Sequence, residues 1–199
     1  MDYSQEQIAV VGLGYVGLPL AVAFSKKRKT IAFDINKKRV GDLQEGIDKT
    51  LEIESKELIG NKNLSFTSEE KDLTDCRIFI ITVPTPIDSL NKPDLRPLIS
   101  ATSTVGKYIK KDSLVVYEST VYPGATEEVC VPILEEVSNL TYNSDFFCGY
   151  SPERVNPGDK NRSLSSITKI VSGSNSEILS VVDNIYSSII EAGTFKVSS

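Results

Sequence analysis

The sequence contains no histidine and no tryptophan. Without histidine, a Ser-His-Asp triad, a Cys-His pair and a histidine-ligated metal are excluded, and no metal site is expected. Cysteine is scarce. Cys76, Cys130 and Cys148 lie far apart with no CxxC spacing, an odd set that suits reduced thiols better than a disulfide framework or a zinc site. Long hydrophobic runs are missing as well: Ile78–Val83 is far too short to cross a bilayer. The polar, acidic start, Met1–Gln7, does not read as a signal peptide. Nor is there a basic excess, since 22 Lys and Arg face 27 Asp and Glu for a formal charge of −5. That balance argues against a nucleic-acid backbone as partner. The expectation is a soluble, cytoplasmic protein with neither a membrane nor a nucleic-acid partner.

What is present is an ordinary globular composition, 40% apolar and 25% charged over 199 residues, enough for one domain with a real core. The apolar run Ile8–Val11 is followed by a glycine-rich turn. Leu18–Phe24 then carries apolar residues at helical spacing and runs into the basic cluster Lys26–Lys29, where cations favour a helix end. A second strand is predicted from Thr30 to Ile35, which completes a βαβ unit. The alternation continues with strands at Leu64–Thr67, Ile78–Val83, Leu114–Tyr117 and Asp145–Gly149. Helical patterns cover Leu95–Ile109, Thr126–Val137 and Ser176–Ile190. Buried, β-branched strands separated by helices predict an α/β fold, a Rossmann-like, doubly wound, mostly parallel sheet with helices on both faces.

Gly12-x-Gly14-x-x-Gly17 is weak evidence alone, because a glycine-rich turn need have no function. Its setting strengthens it: a strand precedes, a helix follows, and the acidic Asp34 ends the next strand 17 residues after Gly17. Gly12 permits a tight turn, Gly14 lets the backbone approach a pyrophosphate, and Gly17 allows close helix–strand packing. The helix N-terminus would supply amide donors to the phosphates. Asp34 would accept hydrogen bonds from the adenosine ribose and repel a 2′-phosphate, which favours NAD over NADP. Lys37, Lys38 and Arg39 count on the other side, because basic residues after the second strand can accept that phosphate. The blander account of the lysines is a solvated first helical turn.

Three further loops leave the carboxyl ends of predicted strands, where open α/β sheets bind ligands. They are Val83–Pro86, Glu118–Gly124 and Gly149–Lys160. Pro and Gly merely ending strands would not explain the hydroxyls and carboxylates in all three, so the loops are expected to converge on one crevice.

The strings GLGYVGLPLA, FDIN with Arg39, VPTP, ESTVYPG and GYSPERVNPGDK, in this order, resemble the UDP-glucose/GDP-mannose dehydrogenase family over essentially the whole chain. SPERVNPGDK is most similar to the branch acting on UDP-N-acetylhexosamines, which supplies uronic acids for capsule, O-antigen and Vi-type polysaccharides. The resemblance implies oxidation of C6 of a UDP-sugar to a carboxylate with two NAD, through an aldehyde and a cysteine thioester. It assigns Thr120 to holding an ordered water and Glu153 to proton transfer or thioester hydrolysis. Tyr15, Val16, Asp34, Arg39, Thr85 and Thr120 would line the NAD site, with Val83, Pro86 and Ser119 completing the cofactor set. Glu153, Arg154, Val155 and Asn156 would meet the sugar. A competing account of Glu153 is a strand-end carboxylate that holds Arg154.

The family's nucleophilic cysteine belongs to a glycine-rich segment beyond a long connecting helix that also carries a catalytic Lys and Asn, and no cysteine here sits in such a segment. Cys148 is expected to be core packing instead. Residues 1–199 are therefore expected to be a cofactor-binding domain without the central helix and substrate domain, inactive alone. The whole enzyme would be a homodimer and the piece a monomer. Arg162 stands where related sequences often carry His, which leaves substrate contacts there open. A non-catalytic NAD-sensing module is the alternative from another class, and the 3-hydroxyacid dehydrogenases share the opening βαβ unit but lack the SPER loop.

Overall fold

A computed structural model of the chain describes residues 3–87, 93–153 and 164–198. Its strands are β1 (Ile8–Val11), β2 (Thr30–Phe33), β3 (Leu64–Thr67), β4 (Ile78–Ile81), β5 (Ser113–Tyr117), β6 (Phe146–Tyr150), β7 (Lys169–Gly173) and β8 (Thr194–Lys196). The helices are α1 (Gly17–Ser25), α2 (Lys37–Gln44), the single turn α3 (Ser55–Leu58), α4 (Arg96–Gly106), α5 (Val131–Ser138) and α6 (Ser176–Ser187). One eight-stranded sheet has the order β3-β2-β1-β4-β5-β6-β7-β8. Its first six strands are parallel, β7 runs antiparallel to β6, and β8 is parallel to β7.

This is the expected doubly wound sheet, in which the chain reverses direction across the sheet between β1 and β4. Side chains alternate faces along each strand. In β1, Ile8 and Val10 pack with Leu18, Phe24 and Tyr186 on the face covered by α1 and α6. Ala9 and Val11 pack with Leu98, Val105 and Leu134 on the face covered by α4 and α5. Phe24 and Tyr186 meet edge to face, with ring centroids 5.9 Å apart, and so tie α1 to α6.

The predicted elements fall where expected, with differences at their ends and toward the C-terminus. The second strand stops at Phe33, so Asp34 lies just beyond it. The Thr126–Val137 pattern is a π-turn, Thr126–Cys130, that feeds α5, and Pro132 at the helix start fits the end of that turn. Asn36 caps α2 by accepting from the amides of Lys38 and Arg39, and Asn175 caps α6 by accepting from Ile178. β7 and β8 carry no strong sequence signal. β8 is a three-residue edge strand, and β7 begins on a lysine. Among the described residues no helix is long and apolar enough to cross a membrane.

Candidate functional site

The glycine loop joins β1 to α1 at the carboxyl edge of the sheet. Gly12 has φ +99°, a left-handed conformation open to glycine, and a Cβ there would press on Val83 and the Thr82 carbonyl carbon at 3.1–3.3 Å. At Gly17 a Cβ would lie 1.8 Å from the Gly12 carbonyl oxygen and 2.4 Å from Thr82 Oγ1, so no larger residue fits. Gly14 differs: a Cβ would meet nothing within 4 Å. Packing does not require glycine there. Bare backbone at that point is what a pyrophosphate needs for close approach, so the residues present fit a dinucleotide. Val16 precedes the first turn of α1, and no side chain caps that turn or places an acid in it. Leu18 already donates its amide to the Gly14 carbonyl at 3.2 Å and Pro19 has no N–H, so what α1 offers an anion is the positive end of its dipole rather than a full first turn of amide donors.

Thr82 had no assigned role in the sequence reading, yet it knots the loop. Its hydroxyl contacts the carbonyls of Val11 at 3.1 Å and Gly12 at 2.7 Å, which joins the ends of β1 and β4. A threonine at the end of an apolar strand was the available signal.

Asp34 takes the Leu13 amide on Oδ2 and the Asn36 amide on Oδ1, each at 2.8 Å. It thus fixes the glycine loop to the end of β2, while each oxygen keeps a second lone pair for a ribose hydroxyl. Arg39, on α2, is already engaged. Its Nε donates to the Leu13 carbonyl at 2.9 Å, and a terminal nitrogen pairs with Asp48 at 2.8 Å. Asp48 is buried and also accepts from Thr50, Glu52 and Ile53. Burial raises its pKa, but the hydrogen bonds from Thr50 and Ile53 and from Arg39 outweigh it and hold the carboxyl below the usual aspartate value. The guanidinium is therefore neutralised in place rather than presented to a 2′-phosphate. Lys37 and Lys38 are exposed, as a solvated helical turn requires.

Gly12, Gly14, Asp34 and Arg39 line a cleft of about 450 Å³ together with Val83 and, from α4, Pro97, Ala101 and Thr104. Its size suits the adenosine half of a dinucleotide. The loops after β4 and β5 are stitched to each other. Ser119 Oγ donates to the Val83 carbonyl and Thr85 Oγ1 to the Thr120 carbonyl, each at 2.6 Å. The loops after β4 and β5 thus meet each other, with the Ser119 and Thr85 hydroxyl protons used as braces and Thr120 exposed. Of Val83, Thr85, Ser119 and Thr120, Val83 lines the cleft, and Glu153 lines a separate groove rather than the one expected crevice. Pro86 is also exposed, and its carbonyl accepts from Asp94 at 2.7 Å.

Past the glycine loop, Tyr15, half exposed, and Val16 line a broader groove of about 960 Å³ that runs along α1 toward the end of α6. Glu153 reaches the same groove from the segment after β6. Its Oε2 lies 3.1 Å from the ammonium of Lys169, which lies 2.7 Å from Glu118 Oε2. Lys169 was not anticipated, and Glu118 was noted only as part of its loop; a lysine inside the apolar stretch Ile167–Val171 was the signal available. Arg154, Val155 and Asn156 lie outside the described residues, as does Arg162.

All three cysteines are buried and unpaired. Burial pushes the Cys76 thiol up to about 11, raises that of Cys130 and raises that of Cys148 well above its ordinary value, so none is a ready thiolate. Cys148 is core, as expected. No group of His, Cys, Asp and Glu among the described residues is arranged to hold a metal.

Comparison with known proteins agrees with this geometry. Residues 6–190 match the model for the UDP-glucose/GDP-mannose dehydrogenase family, NAD binding domain. The chain is 58% identical over 193 residues to a UDP-N-acetyl-D-glucosamine 6-dehydrogenase of Pseudomonas aeruginosa, covering 97% of this chain and 46% of that protein. It is 54% identical over 193 residues to the enzyme of the same name from Salmonella typhi, covering 97% and 45%. Among solved structures, the UDP-D-ManNAc dehydrogenase of Pyrococcus horikoshii superposes with a TM-score of 0.88 at 31% identity, over 97% of this chain and 47% of that one. The chain thus spans about half the length of these relatives. With its glycine loop, its acidic strand end and its neutralised arginine, it belongs to the UDP-glucose/GDP-mannose dehydrogenase family, as an NAD-binding domain.

Proposed function

We propose that this domain serves an NAD-dependent nucleotide-sugar 6-dehydrogenase that oxidises C6 of a UDP-N-acetylhexosamine to the uronate for surface polysaccharides. The observation that carries the reading is the placement of Glu153. Its carboxylate lines the groove that Tyr15 and Val16 share, just past the glycine loop, where a base could meet a substrate hydroxyl. The identity to two UDP-N-acetyl-D-glucosamine 6-dehydrogenases along nearly the whole chain supports the same substrate class.

In this reading bound NAD would supply hydride acceptance for both oxidations, and a cysteine thiolate would hold the aldehyde between them. Gly12, Gly14 and Gly17 shape the phosphate cradle, and Asp34 orients the ribose. Val83, Thr85, Pro86 and Ser119 would help hold the cofactor. Thr120, at the rim, holds a water by its hydroxyl, and Glu153 takes or returns the proton. Arg154, Val155 and Asn156 contact the sugar. The thiolate comes from a second, substrate-binding portion, since burial disqualifies Cys76, Cys130 and Cys148. Homodimer formation by the whole enzyme and a cytoplasmic location belong to the same proposal.

A calorimetric titration of the chain with NAD and, separately, with NADP tests the cofactor half. NAD is expected to bind and NADP to bind much more weakly; binding of neither would overturn the site assignment. For the full-length enzyme, two NADH released per UDP-N-acetylhexosamine consumed is the expected stoichiometry. Release of one NADH, with the aldehyde or ketone as product, would refute the four-electron reaction.

A further inference from the structure

Glu118, Lys169 and Tyr186 form a buried polar cluster that the cofactor reading does not use. Their relative exposures are 1%, 3% and 0%. Glu118 stands at the end of β5, Lys169 opens β7, and Tyr186 lies near the end of α6, so three elements meet at one point. Tyr186 donates its hydroxyl to Glu118 Oε1, and its ring lies 5.9 Å from the Lys169 ammonium. The ammonium bonds Glu118 at 2.7 Å and Glu153 at 3.1 Å.

Lys169 and Glu118 would neutralise each other without help. A buried pair of this kind seldom adds net stability over an apolar pair of the same shape. The second carboxylate is what the pair lacks a structural reason for. Of the two acids, Glu118 has a fully buried side chain and Glu153 keeps 11% of its side chain exposed, on the groove beside Tyr15 and Val16. The segment that carries Glu153 is itself held. Ser151 donates its amide to the Tyr117 carbonyl at 2.9 Å and its hydroxyl to the Ile170 carbonyl at 2.8 Å, between β5 and β7.

We propose that Lys169, anchored by Glu118 and Tyr186, is a positioning residue that fixes the Glu153 carboxylate in the groove for proton transfer. The ammonium presents one N–H to Glu153 while Glu118 and the Tyr186 ring hold it from behind, so Glu153 needs no reorganisation when substrate arrives. Burial disfavours a charged lysine, but the attraction of Glu118 and Glu153 outweighs it and holds Lys169 above the ordinary lysine value. The anchor thus stays cationic throughout the neutral range. The inference rests on the reading of Glu153 as the proton-transfer group.

The test separates positioning from simple structural support. Lys169→Met leaves two acids facing each other and risks misfolding, so the decisive variant is the double change Glu118→Gln with Lys169→Met. It removes both buried charges, keeps the shape and should unfold at a similar urea concentration. In the isolated chain labelled with ¹³C at glutamate carboxyls, the Glu153 resonance, assigned by its loss in Glu153→Gln, is expected to shift and broaden in the double variant. In the full-length enzyme, kcat should fall about 10-fold or more, part of the 10²–10⁴ that a general base contributes. KM for NAD should not change, and Lys169→Arg should recover part of the loss. A double variant with an unmoved Glu153 resonance, or with parental kcat, overturns the proposal. If Glu153→Gln itself turns over at the parental rate, the reading of Glu153 fails and takes this inference with it. If Glu153→Gln is impaired and the double variant is not, the inference alone falls.

Discussion

Gly14 and Gly17, three residues apart in one loop, are expected to answer alanine in opposite ways. Gly17→Ala forces a methyl into the Gly12 carbonyl, which has no room to withdraw because Thr82 pins it. We expect a loss of about 1–3 kcal/mol or more of unfolding free energy, read from urea midpoints. Gly14→Ala meets no atom, so stability should stay within about 0.5 kcal/mol of the parent while NAD affinity falls. Parental NAD binding by Gly14→Ala would mean that no phosphate approaches there. Asp34→Ala should weaken NAD binding by about 1–3 kcal/mol in a calorimetric titration, the scale of charge-assisted hydrogen bonds to the ribose. Because the same carboxylate anchors the Leu13 and Asn36 amides, this variant should also unfold at a lower urea concentration, which Gly14→Ala should not. The glycines and Asp34 were legible in the sequence because spacing alone carries their chemistry. Thr82 was not, since its partners are carbonyls 70 and 71 residues away.

At the level of elements, α2 and the Asp48–Ile53 turn after it act as one unit through Arg39. Asp48→Asn should loosen that guanidinium from its ion pair and raise the NADP-to-NAD affinity ratio in paired titrations. An unchanged ratio would show that Asp34 alone sets the preference. The same pair predicts a pH effect. The folded-state pKa of Asp48 lies below the ordinary aspartate value of 3.8, so its stabilisation is present above that value and lost as pH falls through the folded-state pKa. Unfolding midpoints measured downward from pH 4 should therefore drop less steeply in Asp48→Asn than in the parent. A sequence reading could weigh Arg39 as a phosphate ligand, but it had no means to find the acid that occupies it. For the same reason β7 escaped notice. It opens on Lys169, a residue tolerated in a buried strand only because the end of β5 and the segment after β6 bring two carboxylates to it.

For the whole molecule, the prediction concerns coupling between binding and stability. The crevice draws on the ends of β1, β2 and β4 and on α4, elements that do not form one contiguous segment, so NAD is expected to bind the folded chain and not the unfolded one. At 100 times its dissociation constant it should add about 2.7 kcal/mol, seen as a rise in Tm that grows with NAD concentration. NADP at the same concentration should give a much smaller rise. A concentration-independent Tm with NAD would contradict a preformed site.

The chain's local order was readable because it is written in local physics. Continuous β-branched runs mark strands buried on both faces, helical spacing marks their covers, and three glycines with an acid at the next strand end mark a dinucleotide cradle. Those features depend on residues a few positions apart or on one βαβ unit. The antiparallel β7, the Arg39–Asp48 pair, the Thr82 knot and the joining of Glu118, Lys169, Tyr186 and Glu153 depend on groups that meet only once the sheet has assembled. Their energies come from burial and from partners distant in the chain, and no periodicity or spacing in a single sequence encodes which distant partner a buried charge will find.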